Sequence, residues 1–254
     1  MTAPALFPAP IAPWAVGPQA WFYALFIGAF IPWAAWRSRG RVLALEAWPS
    51  RIRRFQSGLF VQLWMVTIAL LVAWRLDIRL FPARVPSPLQ IAAGIVIVAG
   101  LTALMRPRWR QAVERRSWRV HFFMPRTAPE RGWWVVNSVA AGVCEEIVYR
   151  GVLTSVLAGL LHGAWTGVVV SALAFGLAHS FQTRFSMTVI VLIAAALQMV
   201  TWWTGALWLA MGIHAVYDVI AGFSYGRLGE RLGYPAEGIP IEEARLQSAG
   251  VTRG

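Results

Sequence analysis

Long apolar runs are the feature that most limits how this chain can fold. Hydrophobic residues make up 58% of its 254 residues and charged residues only 13%. The runs are roughly 20 residues long, which is the length of a helix that crosses a bilayer. The sequence therefore predicts an all-α fold, a polytopic bundle of about seven transmembrane helices, with six to eight allowed. The predicted spans are residues 14–36, 58–74, 88–105, 133–161, 165–179, 185–203 and 206–225.

The net charge of +12 has its origin in arginines that concentrate in alternate loops between these runs. Loops rich in arginine stay on the cytoplasmic side of a membrane. The pattern predicts an integral protein of a cell membrane, which we expect to be a bacterial inner membrane, with the N-terminus outside and the C-terminus cytoplasmic. No soluble basic domain carries the charge, so we expect membrane lipids and no nucleic acid as partners.

The chain reads as a single membrane domain with N-terminal helices and basic loops (1–132), a core (133–226) and a cytoplasmic tail (227–254). The fourth span would be roughly 43 Å long as one helix, so it must tilt, protrude or break, with Gly151 as the candidate break. Residues 106–121 mix arginine with tryptophan, which fits either a helix on anionic lipid or an ordinary basic loop. The polar tail is expected to be loosely ordered.

Few ionisable side chains lie within the spans, where a charge is costly and needs a reason. At the helical rise, Glu145 and His179 lie roughly 24 and 21 Å from the turn that joins their helices. His214 and Asp218 lie roughly 12 and 18 Å from the same membrane face. These four side chains therefore share one broad layer. His162 falls at the turn itself, far from that layer.

Spacing along each helix adds local pairs. Glu146 and Arg150 are four residues apart and can pair on one helix face. Glu145 lies about 100° round the axis, so it has no obvious local partner. Phe175 shares a face with His179, and an aspartate one turn from His214 can orient its ring or share a ligand with it.

Three motifs stand in order on these helices: EExxxR at 145–150, FxxxH at 175–179 and HxxxD at 214–218. They resemble the motifs of the CPBP family, the CAAX proteases and bacteriocin-processing enzymes, over residues 133–226. The resemblance implies an intramembrane protease with its catalytic core in the C-terminal four helices. Glu145, helped by His179, would activate a water molecule that attacks the scissile carbonyl. His214 and Asp218 would stabilise the oxyanion, and the positioning residues would be Glu146, Arg150 and Phe175.

The family often has asparagine where this chain has Asp218, and an ionised carboxylate would oppose a developing oxyanion. Asp218 must therefore be neutral, orient His214 or bind a metal. Zinc is the cofactor to consider, with Glu145, His179, His214 and Asp218 as its candidate ligands. These come from separate helices and lack the HExxH spacing of soluble zinc proteases.

The function predicted first is an intramembrane endopeptidase that cleaves a peptide or a membrane-protein segment near the cytoplasmic face. One alternative is a non-catalytic immunity or scaffold protein that keeps the same fold. Another is a proton-coupled transporter with a buried Glu–His relay, which would be expected to show repeated halves that this sequence lacks.

Overall fold

The computed structural model describes residues 17–81 and 85–250, and all regular structure in those two stretches is helical. The predicted all-α class is thereby confirmed. Two of the helices contain π-helical turns, Phe26–Phe30 and Glu146–Leu153, and the second of these is called the π segment below. The α-helices are α1 Pro18–Leu25, α2 Ile31–Ala44, α3 Arg51–Arg75, α4 Pro88–Glu114, α5 Trp118–Phe123, α6 Ala128–Glu145, α7 Thr154–Leu160, α8 Ala164–Ala178, α9 Arg184–Thr204, α10 Trp208–Arg231 and α11 Ile241–Ser248.

Within the described residues, each predicted span is helical except for one or two residues at the ends of some spans, and residues 14–16 of the first span lie outside the described residues. Three helices, α3, α4 and α9, are by length and composition long and apolar enough to cross a membrane. Both α4 and α10 continue beyond their predicted ends, to Glu114 and Arg231. The number of spans stays a prediction.

Polar caps fix where several helices begin. Ser87 and Gln90 form a reciprocal capping box at the start of α4, and Thr127 and Glu130 form another at the start of α6. Each box satisfies two backbone N–H groups that the first helical turn leaves unpaired. At the other end of a helix, Gly205 terminates α9 in the left-handed conformation, which glycine adopts at little cost.

Helix α6 lies at the centre of the bundle, between α3 and α10, while α8 packs against α7, α9 and α2. Gly142 on α6 allows α10 to approach closely. A β-carbon there would lie 2.8 Å from the backbone nitrogen of Ala215, too close for any other residue without a shift of the helices. This contact brings the middle of α10 against the end of α6, next to Glu145.

The long fourth helix is continuous rather than broken. It runs from Ala128 to Leu160 and passes through Gly151 inside the π segment. The expected break at Gly151 is therefore wrong. A π turn inserts an extra residue into a helix without interrupting it, and such turns are frequent at functional sites.

The regions outside the spans are more ordered than the sequence predicts. Residues 106–114 continue α4, and Trp118 of α5 is fully buried with Ile239 and Ala244 of the tail. The expectation of a loosely ordered tail is therefore wrong for the described residues, while the surface-helix interpretation of 106–121 stays a prediction. Gln247 of α11 accepts a hydrogen bond from the Trp118 backbone at 3.0 Å, which ties the tail to this loop.

Candidate active site

A buried ion pair forms the base of the candidate site. The Glu146 carboxylate is completely buried, and its Oε1 lies 3.3 Å from Nη1 of Arg150. The Arg150 guanidinium also lies 4.2 Å from the centre of the Phe175 ring. A buried charge is tolerated only when it is paired, and the i,i+4 spacing provides this pair within one helix.

The same carboxylate holds His214 across the gap between two helices. Glu146 Oε1 lies 2.8 Å from Nδ1 of His214, a charge-assisted hydrogen bond in which the ring nitrogen donates. The sequence analysis paired Glu146 with Arg150 alone and missed this contact. Because Nδ1 is engaged, the other ring nitrogen of His214 must point toward the remaining polar side chains.

His179 is oriented by its own helix. Its Nδ1 lies 2.8 Å from the backbone oxygen of Phe175, and only the ring nitrogen can donate in that bond. In the neutral ring, Nε2 is then the nitrogen without a proton and can accept one. The Phe175 ring packs against both imidazoles, with centroid distances of 4.5 Å to His179 and 6.2 Å to His214.

The two histidines converge on Glu145. Its Oε2 lies 3.9 Å from Nε2 of His179 and 3.9 Å from Nε2 of His214. This oxygen is buried and has no hydrogen-bond partner among the described residues. The separations are too long for direct hydrogen bonds but suit a small molecule between the groups.

Asp218 completes the layer on the outer side. Its Oδ2 lies 3.6 Å from Nε2 of His214, and its side chain is 33% exposed. His179 is similarly exposed at 31%, whereas Glu145 and His214 are 14% and 12% exposed. Exposure thus increases from the buried Glu146–Arg150 pair toward His179 and Asp218, which marks the side from which a substrate can approach.

Side chains from other helices support the π segment beneath this layer. The wider π turn frees backbone oxygens, and these are satisfied from outside the turn. Tyr23 donates to the backbone oxygen of Val148 at 3.0 Å, while Ser171 and Thr154 both donate to that of Tyr149. All eight residues of the π segment are buried, which gives Glu146 and Arg150 a rigid setting.

The four candidate ligands do not have the arrangement of a metal centre. Among the residues at 17–81 and 85–250, no group of three or more His, Cys, Asp or Glu side chains is placed to hold an ion. Zinc as a cofactor stays a prediction, with these four side chains as the ligands to test. His162 lies in the turn between α7 and α8, apart from the layer, as its sequence position predicts.

The comparison with family models decides how this site is classified. Residues 127–220 match the Rce1-like model, described as type II CAAX prenyl endopeptidase Rce1-like. This segment of the chain is similar to the Rce1-like family. The predicted resemblance to the CPBP family is confirmed, with limits six residues earlier at both ends than the predicted 133–226. No curated protein and no solved structure matches the chain significantly.

The match covers all four side chains of the layer together with Glu146, Arg150 and Phe175. With the apolar helices, it indicates an integral membrane protein that is similar to a protease family over this segment. Two hydrogen bonds that support the site were not predicted from the sequence. The bond from Glu146 to His214 joins residues 68 positions apart, and Tyr23 lies 125 positions from its acceptor, so no local spacing indicates either one.

Proposed function

We propose that the protein is an intramembrane endopeptidase in which Glu145 and His179 activate a water molecule. The observation that carries this proposal is the convergence on Glu145 Oε2 of two histidine Nε2 atoms, each at 3.9 Å. A water molecule between Glu145 and His179 would meet two acceptors, the carboxylate oxygen and the unprotonated Nε2. Both of its protons would then be held, and its lone pairs would be free to attack a carbonyl carbon.

The chemical step follows from these roles. The water oxygen bonds to the scissile carbonyl carbon while a proton passes to Glu145, giving a tetrahedral intermediate with a negatively charged oxygen. Collapse of the intermediate breaks the C–N bond, and the proton from Glu145 goes to the leaving amine. General acid–base catalysis of this kind contributes typically 10²- to 10⁴-fold to the rate, about the same range as we assign to Glu145 and His179 together.

His214 is the proposed oxyanion donor. Glu146 accepts from Nδ1, so Nε2 can donate to the oxyanion only when the ring is an imidazolium. The Glu146 carboxylate favours that charged ring, and Asp218 at 3.6 Å favours it from the other side. Asp218 therefore acts through His214 in this proposal rather than as a direct donor. Glu146, Arg150 and Phe175 are positioning residues.

The substrate is proposed to be a peptide or a membrane-protein segment that enters near the cytoplasmic face. The family description names CAAX prenyl endopeptidases, so a prenylated peptide ending in a CAAX sequence is the first substrate to test. The intermediate exposure of His179 and Asp218 makes the layer accessible from this side.

The test uses the full chain reconstituted in lipid vesicles with a farnesylated CAAX peptide. We expect the wild type to release the C-terminal tripeptide and Glu145→Gln to release none, since glutamine cannot take the proton. His162→Gln is the matched control and keeps activity, because that side chain lies in a turn outside the site. Equal cleavage by wild type and Glu145→Gln would contradict the mechanism.

Treatment of the protein with a metal chelator tests the zinc prediction in the same assay. The mechanism above predicts full activity after treatment with a strong chelator, together with less than one metal ion per chain by elemental analysis. Loss of activity that added zinc restores would instead assign Glu145, His179, His214 and Asp218 to a metal.

A further inference from the structure

A groove runs along α4 and α10, outside the proposed active site. It consists of two adjoining cavities of about 710 and 520 Å³ that share Thr102 and Arg106. We call it the α4–α10 groove. The larger cavity is apolar, and the smaller one is lined by arginines at the C-terminal ends of both helices.

The apolar half follows one stripe on each helix. On α4 it includes Ile91, Ile95 and Val98, and on α10 it includes Val216 and Ile220. From residue 91 to residue 106 the groove is roughly 22 Å long, more than the roughly 15 Å of one bilayer leaflet's hydrocarbon. Helix α4 is also the least buried of the three helices that can cross a membrane, so this face meets lipid.

The basic half gathers four guanidinium groups. Arg110 is paired with Glu114 at 2.6 Å. Arg106, Arg227 and Arg231 form no ion pair and no side-chain hydrogen bond with any residue the structure describes. A set of exposed positive charges without counter-charges attracts an anion, and arginine matches phosphate through two parallel hydrogen bonds.

The junction between the two halves carries polar and aromatic groups. The Thr102 hydroxyl lines both cavities and is buried without a hydrogen-bond partner in the described residues. Trp109 and Tyr225 line the basic half with ring centroids 5.9 Å apart. Tryptophan and tyrosine are enriched at the level of lipid headgroups, which fits a junction near the membrane interface, although Trp109 itself is buried.

We propose that the α4–α10 groove binds one anionic phospholipid. An acyl chain would lie along the apolar half, an ester oxygen would accept from Thr102, and the phosphate would lie between Arg106 and Arg227. A zwitterionic lipid offers the same chains but brings its own cation, which the arginines repel. Charge complementarity therefore favours an anionic headgroup.

The groove and the proposed active site use opposite faces of α10. Gly212, Val216 and Ile220 line the groove, whereas His214 and Asp218 are offset from them by two residues, about 200° round the axis. The lipid would pack against the back of the helix that carries His214.

A second basic pocket provides a matched control. It is lined by Arg37, Arg39, Arg41 and Arg119, and no apolar lining extends from it along a helix pair. It offers the same number of arginines as the basic half of the groove. A ligand that needs both charge and an acyl-chain site will distinguish the two pockets.

The test is native mass spectrometry of the purified full chain in detergent with phosphatidylglycerol or phosphatidylcholine of identical chains. We expect one phosphatidylglycerol to be retained in preference to phosphatidylcholine. Arg106→Gln with Arg227→Gln should lower that retention about tenfold, because two of the charges near the headgroup are lost. Arg37→Gln with Arg39→Gln should leave it unchanged.

A second pair of variants tests the apolar half. A side chain added at Gly212 enters open space within the groove, so Gly212→Phe should block the acyl chain and lower retention. Gly100→Phe is the control, since Gly100 also faces open space on α4 but does not line the groove. Circular dichroism of each variant checks that the helices are intact.

Five results would overturn the proposal. The first four are equal retention of the two lipids, equal loss in both arginine pairs, unchanged retention in Gly212→Phe, and displacement of the lipid by glycerol phosphate alone. The last would identify a phosphate site that needs no chain. Displacement by an uncharged prenyl alcohol would likewise assign the groove to an isoprenoid chain instead.

Discussion

The candidate active site and the arginine-rich ends of α4 and α10 differ in whether their charged side chains have partners of opposite charge. At the base of the layer, Glu146 is fully buried and contacts both Arg150 and His214. At the end of the α4–α10 groove, Arg106 and Arg227 are exposed and have no acidic partner in the part of the chain that the structure describes. An unpaired charge is costly in the interior but is satisfied by water or headgroups at the rim. Partnering therefore separates the buried side chains that position the site, Glu146 and Arg150, from the arginines that face the surroundings.

The largest effect that this comparison predicts is on catalysis in the layer. His179→Gln removes the Nε2 acceptor that faces Glu145, and we expect activity to fall about 10²- to 10⁴-fold. The measurement is peptide cleavage in vesicles, with His162→Gln as the control. If His179→Gln kept more than a tenth of the wild-type rate, His179 would not share in water activation.

The next effect is on stability and contrasts a buried pair with an exposed one. Arg150→Met removes the guanidinium beside the buried Glu146 carboxylate, which then keeps only its contact with His214. We expect a loss of about 3–5 kcal/mol in the free energy of unfolding. Arg110→Met breaks the exposed pair with Glu114 and should cause no measurable change. Unfolding followed by tryptophan fluorescence in detergent compares the two variants. Similar losses from both would show that burial does not distinguish them.

A smaller effect concerns His121, which is buried outside the membrane-spanning helices. Burial, together with Arg116, Arg51 and Arg126 nearby, lowers the pKa of His121 from 6.5 to about 4. Below pH 6.5 the unfolded chain binds a proton at His121 that the folded chain does not bind until about pH 4. Stability should therefore fall by about 2 kcal/mol between pH 7 and pH 5.

His121→Phe tests this directly, since phenylalanine keeps a ring in the same space but cannot titrate. We expect the variant to lose that part of the pH dependence between pH 7 and pH 5. Denaturant unfolding at the two pH values measures it. An unchanged pH dependence would place the titrating group elsewhere.

The smallest effect is expected at Asp218. Asp218→Asn restores the residue that the family often has and supplies an amide donor for the oxyanion, so we expect activity within about tenfold of the wild type. Asp218→Ala leaves His214 without support on that side and should lose more activity. A complete loss in Asp218→Asn, with bound metal in the wild type alone, would favour a ligand role for the carboxylate.

The sequence predicted those parts of the molecule that depend on local spacing. Glu146 and Arg150 pair because they are one helical turn apart, and the helices coincide with the apolar runs. The rise per residue also predicted one layer for Glu145, His179, His214 and Asp218, which the structure brings together.

Contacts between residues far apart in the sequence could not be predicted from local spacing. The π segment depends on Tyr23 and Ser171, which reach its backbone from other helices. The order of the tail depends on a small buried cluster that contains Trp118 and Ile239. Neither the sequence around Trp118 nor that of the tail predicts this cluster alone. Composition indicated a surface helix or a basic loop for the first segment and a polar tail for the second, since the few apolar residues there form a small core only when the two segments meet.

The central claim is that Glu145 makes this protein a protease, and one comparison in cells tests it without assuming a substrate. New peptide N-termini are mapped by mass spectrometry in membrane and secreted fractions of cells that carry wild-type protein or Glu145→Gln. We predict cleavage products that occur only with the wild type, and their sequences would identify the substrate. Identical N-termini, with both proteins equally abundant in the membrane, would contradict the account and favour a non-catalytic role for the same fold.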